Sequence, residues 1–345
     1  MSNSVLASIK KDSIRRIFAS ICSLGKTSRA AIATSTDLSL MTVGKVVDEF
    51  LELDVVCEQK EIKSVAGRKA GLVELNKNKF ALVIDLTDKN FKMAVLDSAL
   101  NTTDTLEYEY NNDCYCEENF CIFMKNVKIF TLRNVDMKNC MGVGLLVPGE
   151  YLEEEDKTES FSFPELSGVK IKKTAEEILK CDVCFVKNNI RSAAKSNALE
   201  FDNYRDIAIS YIHIDSLISG AYLCGGEFVG SNVATAGTFG RCACSDNKPL
   251  NSIFSDKKST AKAVDELAKI IYNLFWTVSP DVVIVDNKRP YSGSISDDLK
   301  KSLYCLLPIG NYKLPDIVEA NAEIKHSHRG MARDIREHWL DSLIM

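Results

Sequence analysis

Residues 28–58 read SRAAIATSTDLSLMTVGKVVDEFLELDVVCE. This stretch predicts a short helix over Arg29–Thr34, a turn over Thr36–Ser39, and a second helix from Leu40 to about Leu53 that Ser39 can cap. The face that the second helix would bury consists of Val43, Val46, Val47, Phe50 and Leu51. Two short helices joined by a turn, with small polar and basic residues at the exposed start of the second, are typical of a unit that enters the DNA major groove.

The flanking sequence adds a helix before this unit and a hairpin after it. Apolar residues recur at helical spacing over Asp12–Ser23, which predicts a helix that packs on the other two. Val55–Lys63 and Arg68–Leu75 alternate around a glycine-containing turn and predict a β-hairpin wing. Arg68 and Lys69 at its tip suit the negative potential of a minor groove, although either residue taken alone is more often a solvated surface charge. The predicted DNA contacts are Ser28, Arg29, Ser39, Met41, Thr42, Lys45, Arg68 and Lys69.

A glycine interrupts the second helix at position 44. Glycine inside a helix costs about 1 kcal/mol relative to alanine, so its presence needs a reason. Either the missing side chain lets the helix approach a phosphate or a base edge, or it accommodates a packed neighbour. The sequence leaves both explanations open.

Charge is divided unevenly along the chain. The net charge is −5; residues 1–76 hold 11 Lys and Arg against 9 Asp and Glu (+2), and the remainder holds 32 against 39 (−7). A mildly basic head on an acidic body suits a DNA-binding module joined to a body that does not bind DNA. No apolar run approaches the ~20 residues of a bilayer span, and no signal segment is visible. We therefore expect a cytoplasmic protein without a membrane partner, whose 12 cysteines are reduced.

The body alternates strands and helices. The predicted strands are Phe80–Asp85, Phe91–Asp97, Leu106–Tyr110, Cys140–Gly149, Val183–Val186, Ile207–Ile212, Ser219–Cys224, Glu227–Val229 and Val282–Val285. The predicted helices are Cys116–Arg133, Asn189–Glu200, Thr260–Thr277 and Arg329–Leu343. Strands that first pair in a meander and then alternate with helices, twice over, predict an α/β body with two lobes.

Residues 28–58, together with SVAGRKAGLVELN at 64–76, resemble the DNA-binding head of the ROK family of repressors, open reading frames and kinases. The family pattern reads much like SRaeIAxxtGLSxxTVSxxVxxLxxxGLv, followed by a GGR wing. The body segments VIDLTDKNFKMAVLD, GVGLLVPGE, ATAGTFGR and SPDVVIVD resemble those of ROK sugar kinases in eroded form.

The resemblance implies a fold class and domain boundaries. The class is α/β: an N-terminal winged helix-turn-helix followed by a two-lobed, actin-like (ribonuclease H-like duplicated) sugar-kinase fold. Residues 1–76 would form the DNA-binding domain and residues 77–345 a degenerate ROK domain. Its N lobe would comprise about 77–200 with the C-terminal helix at about 329–345, and its C lobe about 201–328.

The residues that would transfer phosphate in the family are replaced here. Family kinases hold ATP phosphates on glycine-rich loops, because backbone N–H groups surround a phosphate only where glycine permits close approach. The first loop here, Asp85–Lys89, lacks both glycines, and the second, Ile214–Gly220, keeps only Gly220. The resemblance aligns Asn189 with the catalytic base, and an amide cannot accept the sugar proton. Asp85 alone is more often structural than a Mg²⁺ ligand, so we expect no catalytic residue and no cofactor.

The zinc motif of the family is also incomplete. Its sugar-binding Glu and zinc-binding His align with Thr238 and Arg241, and arginine cannot bind a metal. Cys242 and Cys244 follow without the rest of the zinc loop, so we expect them in a strand and expect no metal. The minor alternative is a metal site formed by Cys114, Cys116, Cys242 and Cys244.

The same motifs outline a candidate ligand cleft. Its predicted lining is Pro148, Gly149, Asn188, Asn189, Thr238 and Arg241. Asn188 matches a family residue that contacts sugar hydroxyls, whereas Arg241 would favour an anionic ligand. His326 and His328 are expected in an exposed loop and are given no role.

The sequence favours a kinase-inactive transcriptional regulator, of the repressor type that the resemblance implies. It would bind a palindromic operator in double-stranded DNA as a homodimer or homotetramer, and sense a carbohydrate-like ligand in the cleft. The alternative is a DNA-binding dimeric scaffold with no small-molecule effector, because two family sugar contacts are replaced. An active sugar kinase is the least favoured alternative.

Overall fold

The computed structural model describes residues 2–59, 71–88, 90–109, 116–160, 163–215, 217–230, 237–245, 247–254, 260–308, 310, 312–322 and 324–344, with the backbone alone for residues 2–10 and 260. Within these ranges, no helix combines the length and the apolar character that a membrane span requires. The chain forms a head, an N lobe and a C lobe in that order, and its last described helix returns to the first two.

The head combines a helix-turn-helix with a small antiparallel sheet. Its elements are α1 (Ser2–Leu24), β1 (Thr27–Ser28), α2 (Arg29–Thr36), α3 (Leu40–Glu52), β2 (Val56–Gln59) and β3 (Leu72–Leu75). The sheet order is β1-β3-β2, and the β2–β3 pairing forms the base of the wing. The predicted winged helix-turn-helix is therefore confirmed, although α1 begins at Ser2 rather than at Asp12.

Two side-chain caps and one left-handed residue define the turn between α2 and α3. The Ser28 hydroxyl accepts a hydrogen bond from the Ala31 amide and starts α2. The Ser39 hydroxyl accepts one from the Thr42 amide and starts α3. Asp37 ends α2 with φ +51°, a conformation that Asp adopts at lower cost than most residues. The family pattern has glycine there, so Asp37 preserves the turn while departing from the pattern.

The N lobe is built on a five-stranded sheet. Its elements are β4 (Phe80–Asp85), β5 (Phe91–Asp97), β6 (Thr102–Tyr108), α4 (Glu117–Asn134), β7 (Cys140–Val147), β8 (Glu150–Leu152), β9 (Lys157–Glu159), α5 (Ile171–Leu179) and β10 (Val183–Asn188). The sheet order is β10-β7-β4-β5-β6. β4, β5 and β6 form the antiparallel meander, and β7 and β10 continue in parallel from β4.

The C lobe repeats this arrangement. Its elements, with the returning helix, are α6 (Asn189–Ala198), β11 (Ala208–Ile214), β12 (Ile218–Cys224), β13 (Glu227–Phe228), α7 (Leu250–Phe254), α8 (Thr260–Val278), β14 (Val282–Asn287), α9 (Ile295–Leu306), β15 (Asp316–Glu319) and α10 (His326–Ile344). The sheet order is β13-β12-β11-β14-β15. Numbered within each lobe, both sheets have the strand order 3-2-1-4-5. The predicted α/β fold with a duplicated, ribonuclease H-like body is confirmed.

Helices α6 and α10 lie between the two sheets. α10 covers one face of the N-lobe sheet with Met331, Ala332 and Ile335. Three alanines of α6 cover one face of the C-lobe sheet, although the expected lobe boundary near residue 200 groups α6 with the N lobe. The two helices cross closely: a Cβ on Gly330 would lie 2.1 Å from the Ser192 carbonyl oxygen.

The C-terminal half of α10 completes the core of the head. Leu340 is buried in the same cluster as the apolar faces of α1 and α3. Arg15 of α1 donates two hydrogen bonds to the Asp341 carboxylate, at 2.6 and 3.2 Å. The buried Arg336 guanidinium lies 5.4 Å from the centre of the Phe18 ring. The last helix therefore joins the head to the N lobe.

Several elements differ from the sequence prediction. The sequence prediction lacks α5, α7, α9, the β8–β9 hairpin and β15, and β6 begins at Thr102 rather than at Leu106. Cys242 and Cys244, expected in a strand, instead follow a 3-10 turn over Phe239–Arg241. There only Ala243 makes a bridge, to Pro249, because the chain turns back within six residues.

Candidate functional site

The start of α3 presents an exposed surface. Met41 is 73% exposed and Leu40 is 58% exposed. Lys45 is exposed and has no ion pair within the described residues. The half-buried Thr42 places its hydroxyl 2.8 Å from the Ser39 hydroxyl, so these two groups already bind each other.

The other predicted DNA contacts have different surroundings. The Ser28 hydroxyl is used as the cap of α2. Arg29 donates to Asp48 at 2.9 Å and to Glu58, which ties α2 to α3 and to β2. Burial lowers the pKa of Arg29, but the two carboxylates outweigh burial and raise it, so its charge is already neutralised. Arg68 and Lys69 lie outside the described residues.

A cleft of about 820 Å³ separates the two lobes. All six residues that the sequence assigned to ligand binding line it: Pro148, Gly149, Asn188, Asn189, Thr238 and Arg241. Pro148 and Gly149 follow β7, and Asn188 and Asn189 stand where β10 meets α6. Thr238 and Arg241 enclose the 3-10 turn on the C-lobe side. Whether the cleft binds a ligand stays a prediction.

Asn188 has a structural role that the sequence did not reveal. Its Oδ1 accepts hydrogen bonds from the Ile190 and Arg191 amides, which caps α6. Its Nδ2 donates to the Gly149 carbonyl at 3.0 Å. One amide hydrogen remains for a ligand. The side-chain amide of Asn189, by contrast, has no hydrogen-bond partner within the described residues.

Gly220, at the end of the Ile214–Gly220 loop, and Gly237 serve packing. A Cβ on Gly220 would lie 2.0 Å from the Tyr211 carbonyl oxygen and 2.5 Å from the Phe239 ring. Gly237 has φ +81°, and a Cβ built on it would lie 1.9 Å from the Gly220 carbonyl oxygen. These contacts seat Phe239 in the C-lobe core. The surviving Gly220 is therefore explained without a phosphate.

Asp85 forms the centre of a buried ion cluster in the N lobe. Its carboxylate accepts a hydrogen bond from His328 Nε2 at 2.7 Å and lies 3.3 Å from Lys325 Nζ. Burial raises the pKa of Asp85, but His328, Lys325 and Thr87 outweigh burial and hold it well below its usual range. The expected exposed loop at His326 and His328 is wrong: both are buried, because the start of α10 is covered by both lobes.

A second cluster, missed from the sequence, faces the cleft from the C lobe. Asp286 accepts hydrogen bonds from the Tyr211 hydroxyl at 2.7 Å, His213 Nδ1 at 2.9 Å and Lys288 Nζ at 2.8 Å. Burial raises the pKa of Asp286, but the bonds from His213 and Lys288 outweigh it and lower the pKa. The available signal was that the buried strands FALVID and VVIVDN carry an Asp as their last and next-to-last residue.

The three described cysteines that were considered for a metal site lie in two separate places. Cys242 and Cys244 pack against the C-lobe core, and Cys116 precedes α4 in the N lobe. Cys114 lies outside the described residues. Across the described part of the chain, no group of three His, Cys, Asp or Glu is arranged to hold a metal ion.

No protein-family model matches the sequence, and no curated protein matches it. Solved structures do match the fold. A ROK family transcriptional regulator, a homologue of the E. coli MLC protein, gives a TM-score of 0.64 at 14% identity, with 97% of this chain and 98% of that chain covered. A ROK family protein from Streptococcus pneumoniae in complex with sucrose gives 0.58 at 14% identity, with 75% and 99% covered.

A kinase shows the same likeness in the body. A ROK family glucokinase from Streptomyces griseus, in complex with glucose and AMPPNP, gives a TM-score of 0.53 at 14% identity, with 75% of this chain and 99% of that chain covered. At these identities the likeness shows the fold alone. Along nearly its whole length the chain has the architecture of a ROK regulator, and its body has the fold of ROK sugar kinases.

Proposed function

We propose that this chain is a ROK family transcriptional regulator, of the repressor type, that binds double-stranded DNA through its head. The observation that carries the proposal is the exposed start of α3 on a winged helix-turn-helix, in a chain with the whole fold of such a regulator. One winged helix buries too little surface for tight specific binding, so we propose a homodimer or homotetramer on a palindromic operator. A DNA target also favours a cytoplasmic location.

We propose in addition that the body does not transfer phosphate. Phosphoryl transfer needs a phosphate cradle, a metal site and a base together. At the first loop Asp88 stands among the cleft residues, and Asp85 is occupied by His328 and Lys325. Asn189 stands where the resemblance places the base. The phosphate cradle, the metal site and the base are therefore all altered in this chain.

The cleft supports a small polar effector as the third part of the proposal. Its volume of about 820 Å³ suits a small molecule, and Asn189, Arg191 and Arg241 are among the residues that line it. A carbohydrate-like ligand, or an acidic derivative, matches this chemistry. The scaffold alternative is favoured by one observation, namely that Asn188 is largely committed to capping α6.

Selection of duplexes from a random library by the full-length chain tests the DNA-binding proposal. We expect enrichment of a palindrome, and failure to enrich any duplex would overturn the proposal. Lys45→Glu should abolish enrichment. Lys301→Glu is the matched control, because Lys301 is an exposed lysine on α9 of the C lobe, far in sequence from the head.

Thermal unfolding against a panel of sugars, sugar phosphates and sugar acids tests the effector. A ligand that binds the folded state raises the unfolding temperature by mass action. A shift that Asn189→Ala removes would assign the ligand to the cleft. No shift across the panel would favour the scaffold alternative.

A further inference from the structure

Within the described residues, nothing packs closely enough on Gly44 to require a glycine. Gly44 lies in the N-terminal half of α3 outside the left-handed region, and a Cβ built on it would meet no described atom within 4 Å beyond its own helix backbone. Alanine would fit there and would favour the helix. Of the two explanations that the sequence left open, accommodation of a packed neighbour therefore finds no such neighbour among the described residues. Close approach of another molecule remains.

The residues that share this face of α3 are exposed and apolar or cationic. Met41 precedes Gly44 by three positions and Lys45 by four, so the three are neighbours on the helix surface. Met41 is 73% exposed, and the adjoining Leu40 is 58% exposed. The thioether of methionine is polarizable and adapts well to apolar contacts. This face therefore offers van der Waals contact beside a positive charge.

The hydrogen-bonding groups around this face are already engaged. The Ser39 and Thr42 hydroxyls bind each other and the start of the helix. Asp48, one turn after Gly44, is paired with Arg29 at 2.9 Å. The face therefore has little capacity for reading base edges by hydrogen bonds, apart from Lys45.

We propose that α3 reads DNA at close range through an apolar contact. Gly44 lets the helix backbone approach the base edges, and Met41 contacts the 5-methyl group of a thymine in the major groove. Thymine is the base that presents a methyl group there, so this contact selects a T·A pair at one position of each half-site. The inference deepens the proposed function and rests on it.

The first test removes the methyl group from the DNA. Each thymine in the duplex that the full-length chain enriches is replaced in turn by uracil, which lacks only the 5-methyl group. One replacement per half-site should weaken binding about fourfold, equivalent to ~0.8 kcal/mol for one buried carbon. Met41→Ala should bind the thymine and uracil duplexes equally. Leu132→Ala changes an equally exposed leucine on α4 of the body. This control should still bind the thymine duplex more tightly than the uracil duplex.

The second test adds a methyl group to the protein. Gly44→Ala should unfold at a higher temperature than the wild type and yet bind the duplex about tenfold more weakly, because the new Cβ occupies the space that DNA needs. Gly168→Ala is the matched control, since a Cβ there also meets nothing within 4 Å but lies in the body. Its DNA affinity should be unchanged.

The outcomes separate this inference from the proposed function. If no duplex is enriched, the proposed function falls and the inference falls with it. If a duplex is enriched but no thymine is sensitive to uracil, or if Met41→Ala keeps the sensitivity, only the thymine contact is overturned. If Gly44→Ala binds as tightly as the wild type, close approach at Gly44 is overturned.

Discussion

The Asp85 carboxylate accepts a 2.7 Å hydrogen bond from Nε2 of His328, which lies 243 positions later in the chain. The C lobe repeats the arrangement with Asp286 and His213, 2.9 Å apart. Each lobe therefore carries, at or next to the end of a buried strand, an aspartate that is hydrogen-bonded to a histidine and lies beside a lysine. In the N lobe this pairing engages Asp85, the first residue of the loop that the ROK resemblance aligns with a phosphate cradle.

Replacement of Asp85 should destabilise the chain and change its response to acid. Folding lowers the pKa of Asp85 through His328, Lys325 and Thr87, against the opposing effect of burial. Such a carboxylate contributes stability above its unfolded pKa of about 3.9, and the contribution is lost as the pH falls below that value. Asp85→Asn should therefore lower the free energy of unfolding by about 3 kcal/mol at neutral pH. As the pH falls, the variant should lose less further stability than the wild type.

Urea unfolding at a series of pH values from neutral to about 3 measures both effects of Asp85→Asn. Asp104→Asn, on the exposed strand β6, is the control and should change neither. If the stability of Asp85→Asn falls with pH as steeply as that of the wild type, Asp85 is not the group responsible for the loss of stability in acid.

Sugar kinase activity should be absent. We expect no phosphosugar above background from ATP with hexoses, pentoses or amino sugars, because the cradle, metal site and base are all altered. Asn189→Asp alone should not restore activity, since the Ile214–Gly220 loop would still hold a single glycine. Coupled and radiometric assays check this, and turnover of ~1–100 s⁻¹, which is ordinary for an enzyme of this kind, would refute it.

Leu340→Ala should impair DNA binding from a position outside the head sequence. Leu340 is 3% exposed and lies in the head core, so its truncation should cost about 2–5 kcal/mol. We expect earlier loss of head structure in hydrogen exchange, and weaker DNA binding at raised temperature. Leu132→Ala, at 74% exposure, should do neither. Full protection of α1 and α3 in Leu340→Ala would contradict the shared core.

Lys45→Ala combined with Arg68→Ala should weaken DNA binding and flatten its dependence on salt. Each cation that neutralises a phosphate adds about 0.9 to the slope of log K against log salt, so losing two lowers it by about 2. Gel-shift titrations at several salt concentrations measure both values. Lys301→Ala is the control, and an unchanged slope in the double variant would remove both residues from the phosphate contacts.

Protein purified without chelator should contain no stoichiometric zinc. Cys242 and Cys244 face the C-lobe core, and Arg241 replaces the family ligand. Elemental analysis decides this. Near-stoichiometric zinc would mean that the cysteines reach further ligands, and Cys242→Ser should then release the metal.

The parts that were predictable from sequence have local signals. The cap at Ser39 and the apolar period of α3 lie within 15 residues, and the six cleft residues follow from short motifs that the ROK resemblance aligns. The two ion clusters were not predictable, because Asp85 and Asp286 find their partners across lobes or strands. The burial of His326 and His328 likewise depends on both lobes covering α10. β15 is only four residues long, too short for a periodic pattern.

The placement of Leu340 in the head core has a consequence for biosynthesis. The ribosome releases α1–α3 roughly 300 residues before it releases α10, an interval of about 15–60 s at ordinary elongation rates. During that interval the head lacks part of its apolar interior and the Arg15–Asp341 ion pair. A nascent or truncated chain therefore carries a head with an incomplete core. If the head binds DNA as proposed, only finished copies would bind an operator, and fragments would not compete with them.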